Sequence, residues 1–268
     1  MVRKTSTLYK ILAGIISIFV VFSISYYFAC NVENNVEKMT GGNAADTLAD
    51  YIDVVYYINL DIRTDRNAEF LLEMEKMNIP ENKIVRISAV HEKERGHLGC
   101  SLSHIKTLTQ FLETDHQTCI VFEDDFEFTE PPDVVNSAFQ ELIDNNINFD
   151  VCMLSGNVYE TSPIAEYPFI RKAQKVLTTS GYMLSKSFAP TLLENFKEGA
   201  KLLEKSYDER IDIKKKDPSQ YNYSGEYAID QYWTALQEDN KWYIFQPKLG
   251  SQRQSYSDIM ENNVRYSV

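Results

Sequence analysis

Four consecutive apolar residues, Cys119, Ile120, Val121 and Phe122, run directly into three carboxylates, Glu123, Asp124 and Asp125. A strand that is apolar at every position has both faces covered, as in a sheet flanked by helices. Other short runs have the same character: VVYYINL at 54–60, VCML at 151–154 and WYIF at 242–245. KIVRI at 83–87 and VLTTSGYML at 176–184 also read as strands, the second with a glycine inside it. Between them lie helical periods. One covers 67–78, with Phe70, Leu71, Met74 and Met77 on a face; another covers 101–113, with Leu102, Ile105, Leu108 and Leu112. A third is capped by Asp133 and carries Val135, Phe139 and Leu142, and a long one covers 188–207. Alternating strands and helices predict an α/β fold, a mainly parallel sheet with helices on both faces. In such sheets ligands bind beyond the carboxyl ends of strands, here just after Leu60, Phe122 and Leu154.

Residues 11–29 carry no charge, and a helix of that length rises about 28 Å, close to the thickness of a bilayer's hydrocarbon core. Arg3, Lys4 and Lys10 precede it; Glu33 and Glu37 follow. The positive-inside rule leaves residues 1–10 as a cytoplasmic tail and carries the rest across, as a single-pass type II membrane protein with an ER- or Golgi-like luminal domain. A cleaved signal peptide would put the domain on the same side, but its apolar region is usually shorter. Residues 30–50 are polar and read as a stem, leaving 51–268 as one domain of ordinary size. The sequon at Asn222 is compatible with that placement.

The net charge of -12 repels a polyphosphate backbone and argues against nucleic acid as a partner. The four cysteines show no spacing that suits zinc, and Cys119 and Cys152, inside apolar runs, read as buried free thiols.

With 39 acidic residues in 268, an acidic triple arises readily by chance, so its placement matters more than its existence. Side chains alternate along a strand, so Glu123 and Asp125 point one way and Asp124 the other. Carboxylates crowded there repel one another unless a cation joins them, and oxygen ligands suit Mn²⁺ or Mg²⁺. A solvated acidic loop fits the same residues. After the first strand, Asn59 is followed by Arg63 and Arg66, which suit a phosphate or ribose, or else an ordinary helix start. Gly96 to His104 (GHLGCSLSH) opens a helix whose N-terminus attracts anions, with His104 in its first turn. A catalytic Cys100–His104 pair is the less favoured reading of that motif. Near the C-terminus, Asp230 sits among aromatic residues and suits either a general base or a helix cap.

Taken together, YYINLDIRTDR (56–66), GHLGCSLSHIKTL (96–108), CIVFEDDFEF (119–128), TTSGYMLSKSFAPTLL (178–193), IDQYW (229–233) and the terminal QRQSYSDI resemble glycosyltransferase family 25. That family includes bacterial lipooligosaccharide galactosyltransferases, of lipopolysaccharide biosynthesis, and the procollagen galactosyltransferases of collagen glycosylation. The resemblance implies a GT-A-like nucleotide-diphospho-sugar transferase fold, a UDP-sugar donor, Mn²⁺ (or Mg²⁺) and inversion at the anomeric carbon. The acceptor would be a hydroxyl of a protein or glycan, and the hexose galactose or glucose. On this carry-over Glu123, Asp124, Asp125 and Asp258 hold the metal, and Asp230 is the catalytic base. Asn59, Arg63, Arg66, His104, Ser180 and Gly181 bind the nucleotide-sugar. The alternative is an inactive membrane-anchored adhesion or interaction protein that retains the fold.

Overall fold

The computed structural model describes residues 47–216, 225–253, 255–257 and 262–264. They fall within one compact unit, Asp46–Val268. No helix among the described residues is long and apolar enough to cross a membrane, and the segment expected to do so, residues 11–29, lies outside them. Asp258 also lies outside them. The folded unit takes in the end of the expected stem: Leu48 and Ala49 are buried, and the Leu48 amide donates to Asn136 Oδ1 at 2.8 Å.

The strands are β1 (Val54–Asn59), β2 (Ile84–Ser88), β3 (Thr118–Glu123), β4 (Phe126–Phe128), β5 (Val151–Met153), β6 (Asn157–Pro163), β7 (Ile170–Leu177), β8 (Gly181–Ser185), β9 (Trp242–Phe245) and β10 (Gly250–Gln252). Two further strands, Ser255–Ser257 and Asn262–Val264, pair with each other. The helices are α1 (Thr64–Lys76), α2 (Gly96–Leu112), α3 (Pro132–Asp144), α4 (Ala189–Lys216), and the short α5 (Ile229–Tyr232) and α6 (Thr234–Gln237).

The central sheet has eight strands in the order β2-β1-β3-β8-β5-β9-β7-β6. It is mixed rather than mainly parallel. Three pairings are parallel (β1 with β2, β1 with β3, β5 with β9) and four antiparallel (β3 with β8, β5 with β8, β6 with β7, β7 with β9). The segment 176–184, expected as one strand, accounts for much of this. It breaks at Thr178–Ser180, so β7 ends before it and β8 begins after it, inserted antiparallel between β3 and β5. The break is visible in the backbone: Thr178 has φ 82, a left-handed conformation that costs a β-branched residue about 1–3 kcal/mol.

Helices cover both faces, as expected. On one face α2 and α4 pack Leu108, Phe111, Leu192 and Phe196 against Tyr56, Val121 and Tyr182. On the other, α1 and α3 place Phe70, Met74, Phe139 and Leu142 against Tyr57, Phe122 and Phe245. Tyr57 and Phe70 stack with ring centroids 4.5 Å apart. Every residue of β1 is buried, because its two faces serve these two cores.

Two helix starts differ from expectation. Helix α2 begins at Gly96, so His104 lies in its third turn. A Cβ on Gly99 would lie 2.7 Å from the Val90 carbonyl oxygen, and Ser103 Oγ accepts from the Val90 amide at 2.8 Å. The glycine and serine of this motif therefore seat the helix against the loop after β2. In α3 the cap position falls to Pro131, and Asp133 lies inside the first turn, where its charge suits the helix dipole.

Candidate active site

β1 and β3 run parallel and in register, Ile58 opposite Glu123, so both deliver their carboxyl ends to one edge of the sheet. The antiparallel β8 starts at that edge, with Gly181 opposite Phe122. The acidic triple sits where these three strands meet.

The strand ends at Glu123, and Asp124 and Asp125 form the turn into β4. The turn overrides the expected alternation. Asp124 is buried between two fixed donors: Asn59 Nδ2 reaches its Oδ2 at 2.7 Å and Arg66 Nη1 its Oδ1 at 2.9 Å. Asp125 turns toward the same guanidinium, with Nη1 at 3.4 Å from Oδ2. Its Oδ1 is buried without a hydrogen-bond partner. Burial, and then the Glu123 charge, push the Asp125 carboxyl up to about 7 against the pull of Arg66 and the weaker pull of the Gln252 side chain. Burial also raises Asp124, with Arg66 and Asn59 acting in the other direction.

Glu123 faces α2. Its Oε1 accepts from Thr179 Oγ1 at 2.6 Å and lies 3.4 Å from His104 Nε2. Burial works to raise this carboxyl, but the His104 hydrogen bond and charge, with Thr179, outweigh it and hold it low. His104 is fully buried, and its Nδ1 lies 3.0 Å from the Tyr182 hydroxyl. Cys100, one turn earlier on the same helix face, completes a group whose ligand atoms with those of His104 and Glu123 all lie within 4.8 Å of one another.

Asp230 opens α5 and meets the strained loop: its Oδ2 accepts from the Thr178 amide at 3.2 Å. Burial, against that hydrogen bond and with the Glu123 charge behind it, raises the Asp230 carboxyl. The aromatic neighbour Trp233 is core, donating through Nε1 to the Val176 carbonyl at 3.1 Å.

The remaining expected residues divide. Asn59 belongs to the site through Asp124, and its Oδ1 accepts from Arg86 Nε at 3.0 Å and Nη2 at 2.8 Å. Arg63, the residue before α1, forks onto Asp65, Nε at 3.0 Å and Nη2 at 2.9 Å. Ser180 is fully buried, its Oγ 2.6 Å from Ser155 Oγ, and its carbonyl accepts from the Glu123 amide at 2.9 Å. Gly181 lies against the Phe126 ring, where a Cβ would come within 2.7 Å. Both hold β8 to the end of β3.

Arg86, Thr179 and Arg253 escaped the sequence reading. Arg86 lies on an edge strand, where a charge reads as solvated. Arg253 follows β10, which pairs with β4, Gln252 opposite Phe126. That pairing brings the Arg253 amide to the Asp125 carbonyl at 2.6 Å. The guanidinium meanwhile bridges Glu69, Glu73 and Glu127.

Buried, mutually perturbed titratable groups gathered where parallel strands end define an enzyme-type site on an α/β sheet. Residues 94–211 match the model of Glycosyltransferase family 25 (LPS biosynthesis protein). The match takes in α2, the acidic triple, Thr179 and most of α4, and it implies sugar transfer. No curated protein matches the chain. Among solved structures, a mannose-1-phosphate geranyltransferase from Thermus thermophilus is 11% identical over 77% of this chain and 75% of its own, with a TM-score of 0.36. A glycosyltransferase involved in glycosylation of the major capsid of PBCV-1 is 10% identical over 78% and 95%, with a TM-score of 0.38. These are distant likenesses; the family match is what bears on function.

Proposed function

We propose that this chain is a metal-dependent, inverting glycosyltransferase of GT-A-like fold that moves a hexose, galactose or glucose, from a UDP-sugar to a hydroxyl of a protein or glycan. The observation that carries the proposal is the buried Asp125 oxygen with no hydrogen-bond partner, set among carboxylates at the strand ends of a family 25 segment. A buried anionic oxygen left unpaired is costly, and a divalent ion is the partner that removes the cost.

The residues present fit such an ion. Asp125 Oδ1 is buried without a hydrogen-bond partner and its carboxyl feels the Glu123 charge, whereas both oxygens of Asp124 are already bonded to Asn59 and Arg66. Asp125 with Glu123 would hold the ion, Asp124 would act by fixing Arg66, and Asp258 remains a further candidate ligand. When bound, an ion there neutralises charge on a departing diphosphate. The nucleotide lies over the end of β1 beside Arg63, and Asn59 and Arg66 position the acidic turn beneath it. Asp230 takes the proton of the acceptor hydroxyl: the Thr178 amide fixes its carboxyl, and a carboxyl raised by burial is suited to a base near neutral pH. His104 and Thr179 keep Glu123 ionised and oriented. Residues 11–29 serve as a type II membrane anchor, placing the domain on the luminal side.

The Asp46–Val268 unit, incubated with UDP-galactose, UDP-glucose, UDP-N-acetylglucosamine or CMP-sialic acid, with Mn²⁺ or with EDTA, tests this. UDP release from one donor, lost with EDTA and with Asp125→Asn, is the expected result. A folded protein that neither binds nor turns over any donor, with candidate acceptors present, would overturn it in favour of an adhesion role.

A further inference from the structure

The sugar-transfer reading uses Glu123 but leaves the thiol beside it without a role. Cys100 and His104 stand four residues apart on α2, so both side chains meet the end of β3. Sulfur, imidazole nitrogen and carboxylate oxygen lie within 4.8 Å of one another, a group that one ion can draw together. The surroundings hold these ligands in place. The His104 ring is fully buried, with Phe196 edge-on at 6.0 Å and its Nδ1 on the Tyr182 hydroxyl. An imidazole that binds metal through one nitrogen commonly bonds a second group through the other, and Tyr182 fills that place. Thr179 orients the carboxylate in the same way. The donor set matters most: one sulfur, one nitrogen and one oxygen suit a borderline-soft tetrahedral ion, whereas Mn²⁺ and Mg²⁺ prefer oxygen throughout.

We propose that Cys100, His104 and Glu123 form a site for a thiophilic divalent cation of the Zn²⁺ class, different in ligand preference from the oxygen site at Asp125 and sharing Glu123 with it. On binding, the Cys100 S–H bond breaks, the metal–sulfur bond forms and the proton leaves to solvent; nothing is oxidised or reduced. Three protein ligands leave a fourth position for water. If the sugar-transfer reading holds, occupancy also takes Glu123 from the Asp125 site, so such ions inhibit transfer.

Co²⁺ titration of the full chain carrying Cys30→Ala tests the site without any sugar donor, so its failure is distinguishable from failure of the transferase reading. The expected result is one Co²⁺ per chain, a sulfur-to-cobalt charge-transfer band in the near ultraviolet, and displacement by Zn²⁺. Cys100→Ser abolishes the band, and His104→Gln weakens Co²⁺ binding at least ~10-fold. No charge-transfer band from the folded chain, or a band that persists in Cys100→Ser, overturns the proposal. Should either variant lose its native circular dichroism, alkylation of the Cys30→Ala chain decides. Zn²⁺ then shields Cys100 from iodoacetamide and Mn²⁺ does not, with buried Cys119 and Cys152 as internal references. Equal alkylation of Cys100 with and without Zn²⁺ overturns it.

Discussion

Replacing Asp125 by Asn should stabilise the metal-free protein above neutral pH while removing the metal-dependent sugar transfer proposed above. The Asp125 carboxyl is raised from 3.8 to about 7, chiefly by burial and then by Glu123. Between those values the folded state holds a proton that the unfolded chain has released, so stability falls as pH rises through that window. Above it the full penalty applies. Three units correspond to about 4 kcal/mol as a ceiling; relaxation and the higher effective dielectric of real sites reduce it, and about 2 kcal/mol is expected. For a domain of this size that is a rise of about 4–8 °C in Tm. Thermal melts of wild type and Asp125→Asn at pH 8 and at pH 4, with EDTA and with Mn²⁺, make the comparison. The variant should be the more stable at pH 8 with EDTA, and the advantage should shrink at pH 4. Saturating Mn²⁺ should raise the wild type alone, by RT ln(1 + [Mn²⁺]/Kd). A variant less stable than wild type at pH 8 in EDTA would refute the reasoning, because Asp125 would then be compensated without a metal.

Asp230→Asn keeps an oxygen to accept from the Thr178 amide. It should leave the melting temperature within about 1 °C while lowering kcat for transfer by roughly 10²–10⁴, measured with saturating donor. A parallel loss of fold would mark Asp230 as structural. Arg66→Ala removes the cation shared by Asp124 and Asp125 and should cost about 3–5 kcal/mol by urea denaturation at pH 7.5. Gly181→Ala drives a methyl to 2.7 Å from the Phe126 ring and should cost about 1–3 kcal/mol, seen as a lower urea midpoint.

The elements that could be read from the sequence are those whose burial is continuous. The apolar runs at β1, β3, β5 and β9 appeared within about a residue of their observed limits, because strands covered on both faces leave an unbroken signature. The expectation of a mainly parallel sheet came from counting alternation, which says nothing of direction where two strands follow each other without a helix. That is the situation at β5–β6, β6–β7 and β7–β8. Thr178 hid one of those breaks: a β-branched residue is the last residue type expected at φ 82, and only Asp230 and Asn157, which donates to Thr178 Oγ1 at 3.1 Å, explain how it is held. Both partners are distant in sequence, so local pattern could not supply them. The same limit applied to α2. Its apolar period from Leu102 onward was clear, whereas its first turn is fixed by the approach of Gly99 to Val90.

The acidic triple shows most clearly how position turns a common sequence feature into chemistry. Fully ionised, the three carboxylates and one guanidinium would carry a net charge of −2, with Asp124, Asp125 and Arg66 all buried. The neighbouring cation, Arg253, does not repair this: its guanidinium is committed to Glu69, Glu73 and Glu127, and only its amide reaches the backbone of Asp125. Arg66 sits closer to Asp124, which Asn59 also satisfies, and His104 with Thr179 satisfies Glu123. The deficit therefore concentrates on one atom, Asp125 Oδ1. Buried carboxylates that serve only structure are paired. One with an oxygen left without a partner between two satisfied neighbours is where the metal of the proposed reaction would bind, and this is why Asp125, of the three, is the residue whose loss should separate stability from activity.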